Sequence, residues 1–74
     1  MMQFTGLISV APMAGNITIN TPRTPHQLSI SATPLLLHCG GNSVGVELVE
    51  IGNDGFTIYV RSDTTAEIHW SYNG

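Results

Sequence analysis

Glu67, His69 and Ser71 alternate along one short segment, and together they are the parts of a nucleophilic triad: a carboxylate, an imidazole and a hydroxyl. Their spacing works against that chemistry. Same-face neighbours on a strand stand about 6.5–7 Å apart. Triad partners sit within about 3.2 Å of one another and come from separate segments. The three are expected to form a solvated or interfacial strand face. His38-Cys39 is the pair closest to a metal site, but adjacent strand residues point to opposite faces. His26 and His69 could join His38 in space or around a symmetry axis, yet no C-x-x-C or H-x-x-x-H spacing supports a site. Cys39 reads as a small buried hydrophobe. Gly40-Gly41-Asn42-Ser43 lacks the Lys-Ser/Thr of a phosphate-binding loop and reads as a turn. No catalytic motif, cofactor or metal is expected, so the chain is expected not to be an enzyme.

Aromatic residues offer a different chemistry. Tyr59, Trp70 and Tyr72, with Asn53 and Asp54 nearby in sequence, could stack against a sugar and hydrogen-bond its hydroxyls. Trp70 shares its parity with Ile68, which predicts a core or subunit contact. Tyr59 has the opposite parity to its apolar neighbours and is the more exposed candidate.

Composition narrows the partners. Of 74 residues, 9% are charged, against about 25% in an ordinary soluble domain. There is no lysine, the cations are Arg23 and Arg61, and the net charge is −3. Nucleic-acid binding by counterion displacement needs a basic stripe, and a membrane-surface helix needs a basic face; neither is present. The apolar runs, such as Leu35-Leu36-Leu37, are far shorter than the roughly 20 residues of a spanning helix. Met1-Met2-Gln3-Phe4-Thr5-Gly6 lacks the basic and apolar stretches of a secretory signal. A single cysteine forms no internal disulfide, which predicts synthesis in a reducing cytoplasm. Asn16-Ile17-Thr18 matches a glycosylation sequon, read here as the entrance of a strand.

The elements that must position these residues are strands. Helix formers are scarce, whereas Thr, Ser, Asn, Gly and β-branched residues recur. Phe56, Ile58 and Val60 alternate with polar neighbours, as do Ala66, Ile68, Trp70 and Tyr72. Val44, Val46 and Leu48 do the same until the parity changes at Leu48-Val49, which predicts a bulge or burial on both faces. Gly52-Asn53-Asp54-Gly55 is a hairpin turn, and Ser62-Asp63-Thr64-Thr65 a second turn. The expectation is a three-stranded antiparallel meander over 44–72. Upstream, the pattern predicts strands at Phe4–Val10, Asn16–Asn20, His26–Ala32 and Leu35–Cys39, with a turn at Ala14-Gly15 and a loop stiffened by Pro22 and Pro25. Residues 1–74 thus read as one all-β domain, a small antiparallel β-sandwich or β-barrel of about six or seven short strands.

Gly55-Phe56-Thr57-Ile58-Tyr59-Val60 followed by Ala66-Glu67-Ile68-His69-Trp70-Ser71-Tyr72-Asn73-Gly74 resembles the closing strands of small β-domains in tailed-bacteriophage virion proteins. These are capsid decoration (cement) proteins and fibre or spike heads. The resemblance implies a non-enzymatic structural protein, a homotrimer, located in the virion after assembly in the host cytoplasm. Its partners would be the major capsid protein or another virion subunit. A short β-protein with neither a coiled-coil nor a repeated shaft favours capsid decoration, bridging and stabilising neighbouring capsid subunits. The alternative is a carbohydrate-binding or receptor-binding module of a tail fibre or spike. Self-association is also expected on physical grounds, because so short a chain without disulfides gains little from its own core. Phe4, Leu7, Pro22, Pro25, Tyr59, Trp70 and Tyr72 are the candidate interface residues, with Met1–Thr5 and the loop Thr21–Pro25 as the segments that could reach a neighbour.

Overall fold

The structure, a computed structural model, describes residues 2–35 and 44–74. Six strands follow one another: β1 (Gln3–Val10), β2 (Met13–Asn20), β3 (His26–Pro34), β4 (Val44–Gly52), β5 (Gly55–Ser62) and β6 (Ala66–Asn73). They form two three-stranded antiparallel sheets, ordered β1-β6-β3 and β2-β5-β4. The all-β expectation holds, and of the two architectures considered the chain adopts the sandwich.

The registers explain how so few residues make two layers. β1 runs from Gln3 opposite Asn73 to Val10 opposite Ala66, and β2 continues from Met13 opposite Ser62 to Asn20 opposite Gly55. Ala11-Pro12 is all that separates them. On the other side of the central strands, β3 pairs with β6 and β4 with β5. The molecule is therefore one long three-stranded ribbon folded over at its middle, its two halves facing each other about 10 Å apart, as packed sheets do. It measures 43 × 21 × 15 Å.

This fold-over corrects the expected meander. The β4–β5 hairpin forms around Asn53-Asp54, but β6 does not pair with β5. The Ser62–Thr65 turn carries the chain from one sheet into the other. At that corner the Ser62 hydroxyl donates to the Thr64 carbonyl (2.5 Å) and accepts from the Thr64 amide (3.3 Å), while the Leu35 amide bonds the Thr65 carbonyl at 2.9 Å. A corner held by its own side chain frees β6 to present its apolar face back towards β5. Ala14-Gly15, expected as a turn, lies inside β2, with Gly15 opposite Val60. Pro34 ends β3 rather than lying beyond it, a position open to proline on an edge strand. The predicted strand Leu35–Cys39 and the turn at Gly40–Asn42 lie, from 36 onward, outside the described residues.

The core sits where alternation placed it. Phe56, Ile58 and Val60 of β5 face Ala66, Ile68 and Tyr72 of β6, all buried. Ile8, Val10, Met13, Ile17, Ile19, Leu28, Ile30 and Trp70 close around them from the other strands. Trp70 meets Phe56 edge-on at a centroid distance of 5.8 Å, and Phe4 stacks on Tyr72 at 5.2 Å. Gly6 lies opposite Trp70 in register, and a Cβ there would collide with the indole ring. A strand glycine is thus the space that admits the tryptophan. At the hairpin, a Cβ on Gly55 would run into the Ile19 carbonyl.

Candidate functional site

Each sheet turns one face to solvent, and the registers fix what stands on it. On the outer face of the first sheet, β1, β6 and β3 contribute cross-strand rows: Thr5, Ser71 and Ser29; then Leu7, His69 and Ser31; then Ser9, Glu67 and Thr33. The first two rows border a shallow depression of about 430 Å³. Glu67, His69 and Ser71 share this face as the alternation predicts, and they do not assemble as a triad. His69 Nε2 stands 3.6 Å from Glu67 Oε1, beyond hydrogen-bond length, on a solvent-exposed strand face. Among the described residues, His69 makes no hydrogen bond to Ser71, which is the next same-face position along β6. His26 pairs with Asn73 at the far end of β6, so it does not converge with His69. His38 and Cys39 lie outside the described residues, and among those described no group of three or more potential ligands could hold a metal ion.

The outer face of the second sheet places Tyr59 at its centre, 40% exposed, with Asn16 on one side and Glu47 on the other. Arg61 stands one row away, between Ala14 and Gly45. Trp70 is on the opposite, inner side of its own sheet, and Asn53 and Asp54 are at the hairpin tip. The five-residue sugar platform considered from the sequence is not brought together; Tyr59 alone retains a ring free for stacking.

The candidate interface residues separate in the same way. Leu7, Pro22 and Tyr59 are exposed. Phe4 and Trp70 are half-buried in the sandwich, and Tyr72, at 4% exposure, has almost no surface left for a partner. Pro25 is buried. Gln3–Thr5 belong to β1, so this part of the N-terminal segment is not a free arm. The loop 21–25 is tied down as well. The Thr21 amide bonds the Asp54 carbonyl at 2.8 Å, the Thr21 hydroxyl bonds the Arg23 carbonyl, and the Thr24 hydroxyl bonds the Asn53 carbonyl at 3.0 Å.

The surface that sequence reasoning missed is on β4. The register slips between Leu48 and Glu50, so the parity change is a bulge. It does not bury both faces: Leu48, Val49 and Ile51 are all exposed, Val49 by 53%. Three large apolar side chains in four residues make a ridge along an edge strand. The register puts Leu48, opposite Ile58, and Ile51, opposite Phe56, on the inner side at the open edge of the sheet, with Val49 in the bulge between them and Glu47 and Glu50 on the outer face. The ridge is thus an exposed apolar edge rather than a displayed face. The signal was the Leu-Val-x-Ile run itself, but edge and centre strands share such runs, and only the sheet order separates them.

No protein-family model, curated protein or solved structure matches this chain.

Proposed function

We propose that this chain is a non-enzymatic structural protein of a tailed-phage virion, a capsid decoration protein that docks on neighbouring capsid subunits and stabilises them. The observation that carries this reading is the β4 ridge. Leu48, Val49 and Ile51 are all exposed within four residues along the open edge of β4. Contiguous exposed apolar side chains with a polar rim mark protein contact surfaces. The charge-poor surface lowers the desolvation cost of that contact. Bound copies stabilise the assembled shell by mass action, because they bind it and not its separated subunits. The strands carrying the phage resemblance, β5 and β6, are the spine that holds the ridge in place.

The test is co-sedimentation of the purified chain with expanded tailed-phage shells stripped of decoration proteins. Saturable binding, abolished by Val49→Asp, is expected. Absence of binding to every shell tried, or binding that Val49→Asp leaves intact, overturns the proposal. One observation favours a second reading, a glycan-binding module of a fibre or spike: exposed Tyr59 flanked by Asn16 and Glu47, a stacking ring between two hydrogen-bonding side chains. Glycan-array binding lost in Tyr59→Ala would replace the first reading with this one.

A further inference from the structure

Among the described residues, the outer strands of each sheet, β1 and β3, β2 and β4, have no strand neighbour on their outer side, and such edges template pairing unless something blocks it. On the β3–β4 flank several things block it. Pro25 precedes β3 and Pro34 ends it. The register breaks between His26 and Ser29, where Gln27 has φ 52°. β4 is bulged and carries Glu47 and Glu50. The β1–β2 flank has none of these devices within its strands. Residues 3–20 contain no charged side chain, their one proline falls between the strands, and neither ladder has a register break.

We propose that β1 pairs antiparallel with β1 of a second copy, about a two-fold axis at Leu7, extending the first sheet from three strands to six. The occupant follows from self-complementarity. About that axis Leu7 meets the partner's Leu7, Gly6 meets the partner's Ile8, Thr5 the partner's Ser9 and Phe4 the partner's Val10. Small stands against large on the inner side, and hydroxyl against hydroxyl on the outer. Leu7 is 51% exposed and is the one large apolar side chain in the hydroxyl rows of that outer face; the pairing covers it. Charge selects the same partner. The carboxylates, Glu47, Glu50, Asp54, Asp63 and Glu67, all lie off β1 and β2. Two copies of a chain with net charge −3 thus meet on the flank where no like charges face each other. An isologous contact of this kind closes at two subunits, in place of the trimer implied by the phage resemblance.

Light scattering and sedimentation across about 10–500 µM, the range where a small strand-paired interface dissociates, test the mass. A dimer is expected. Leu7→Lys places two ammonium groups at the axis and removes two apolar side chains, and should weaken the dimer by about 10-fold or more. Leu7 and Ser9 face solvent, so Ser9→Lys serves as a second variant should the first fail to fold. Independently, Leu7→Cys in a Cys39→Ser background should oxidise to a covalent dimer, since directly opposed antiparallel residues have Cα atoms about 4.5–5.5 Å apart. Thr33→Cys on β3 should not. A monomer or trimer at all concentrations overturns the proposal, as does a dimer indifferent to Leu7→Lys and Ser9→Lys, or cross-linking at Thr33 equal to that at Leu7. Shell binding reads the β4 ridge and dimerisation reads β1, so either can fail without the other.

Discussion

The two flanks of this molecule are built on opposite rules. The β1–β2 flank is regular, uncharged and unbulged; the β3–β4 flank has a proline on either side of β3's extended run, a left-handed residue, two register breaks and two carboxylates. Both border the same spine, β5–β6. The difference separates two kinds of contact. The β3–β4 flank discourages backbone pairing but displays apolar side chains, so it suits docking by surface complementarity. The β1–β2 flank displays few apolar side chains but leaves its backbone open, so it suits strand addition.

The comparison can be broken at its common support. Phe56→Ala removes a buried ring that packs on Trp70 and lies between Ile19 and Ile51 in register. A cost of about 3–5 kcal/mol is expected, and urea unfolding followed by circular dichroism should show both flanks lost together. A paired glycine substitution sharpens the contrast. Gly6→Val on β1 drives a side chain into Trp70 and should cost at least about 1–3 kcal/mol. Gly45→Val on β4 meets nothing within 4 Å, and its midpoint should move by less than about 0.5 kcal/mol. Equal effects would mean that the indole moves aside freely.

These sites also show what the sequence could reveal. Alternation identified the inner faces of β5 and β6, the hairpin at Asn53-Asp54 and the parity break in β4, because period 2 and turn chemistry are local properties. It placed Trp70 inward and Tyr59 outward. Partner choice was not legible. The pattern in β6 is satisfied equally by pairing with β5 or by facing it across a core, and proximity in sequence favoured the wrong answer. Gly15 looked like a turn because glycine is common in turns; inside β2 it stands opposite Val60. For the same reason the interface candidates Phe4, Trp70 and Tyr72 went to the interior, and the Leu48–Ile51 ridge emerged only once β4 was known to be an edge.

Two smaller changes probe the guarded flank. Replacing Glu47 and Glu50 by Thr removes both carboxylates from β4. Stability should change by less than about 0.5 kcal/mol, while light scattering should reveal concentration-dependent association that the parent flank lacks. If association is unchanged, the bulge alone protects this edge. Gln27→Gly relieves a left-handed backbone conformation, which costs a non-glycine residue about 1–2 kcal/mol. It also gives up an exposed hydrogen bond from the Asn73 amide to the Gln27 side chain and the entropic advantage over glycine. A net gain of roughly 0.5 kcal/mol is expected, read as a small rise in the unfolding midpoint.

The fold-over has a consequence for how the chain finds its structure. Among the described residues, the β4–β5 hairpin is the one ladder between sequence neighbours; Gln3 must meet Asn73 and Asn20 must meet Gly55 across long intervening stretches of chain. Closing such loops costs entropy before their contacts repay it. Assembly is therefore expected to start at Asn53-Asp54, with β6 turning over the corner next and β1 among the last strands to zip into place. The strand with the open backbone is then also the one that waits longest for its neighbour. In a crowded solution of nascent copies, speed of closure along β1 decides between the native sheet and premature entanglement.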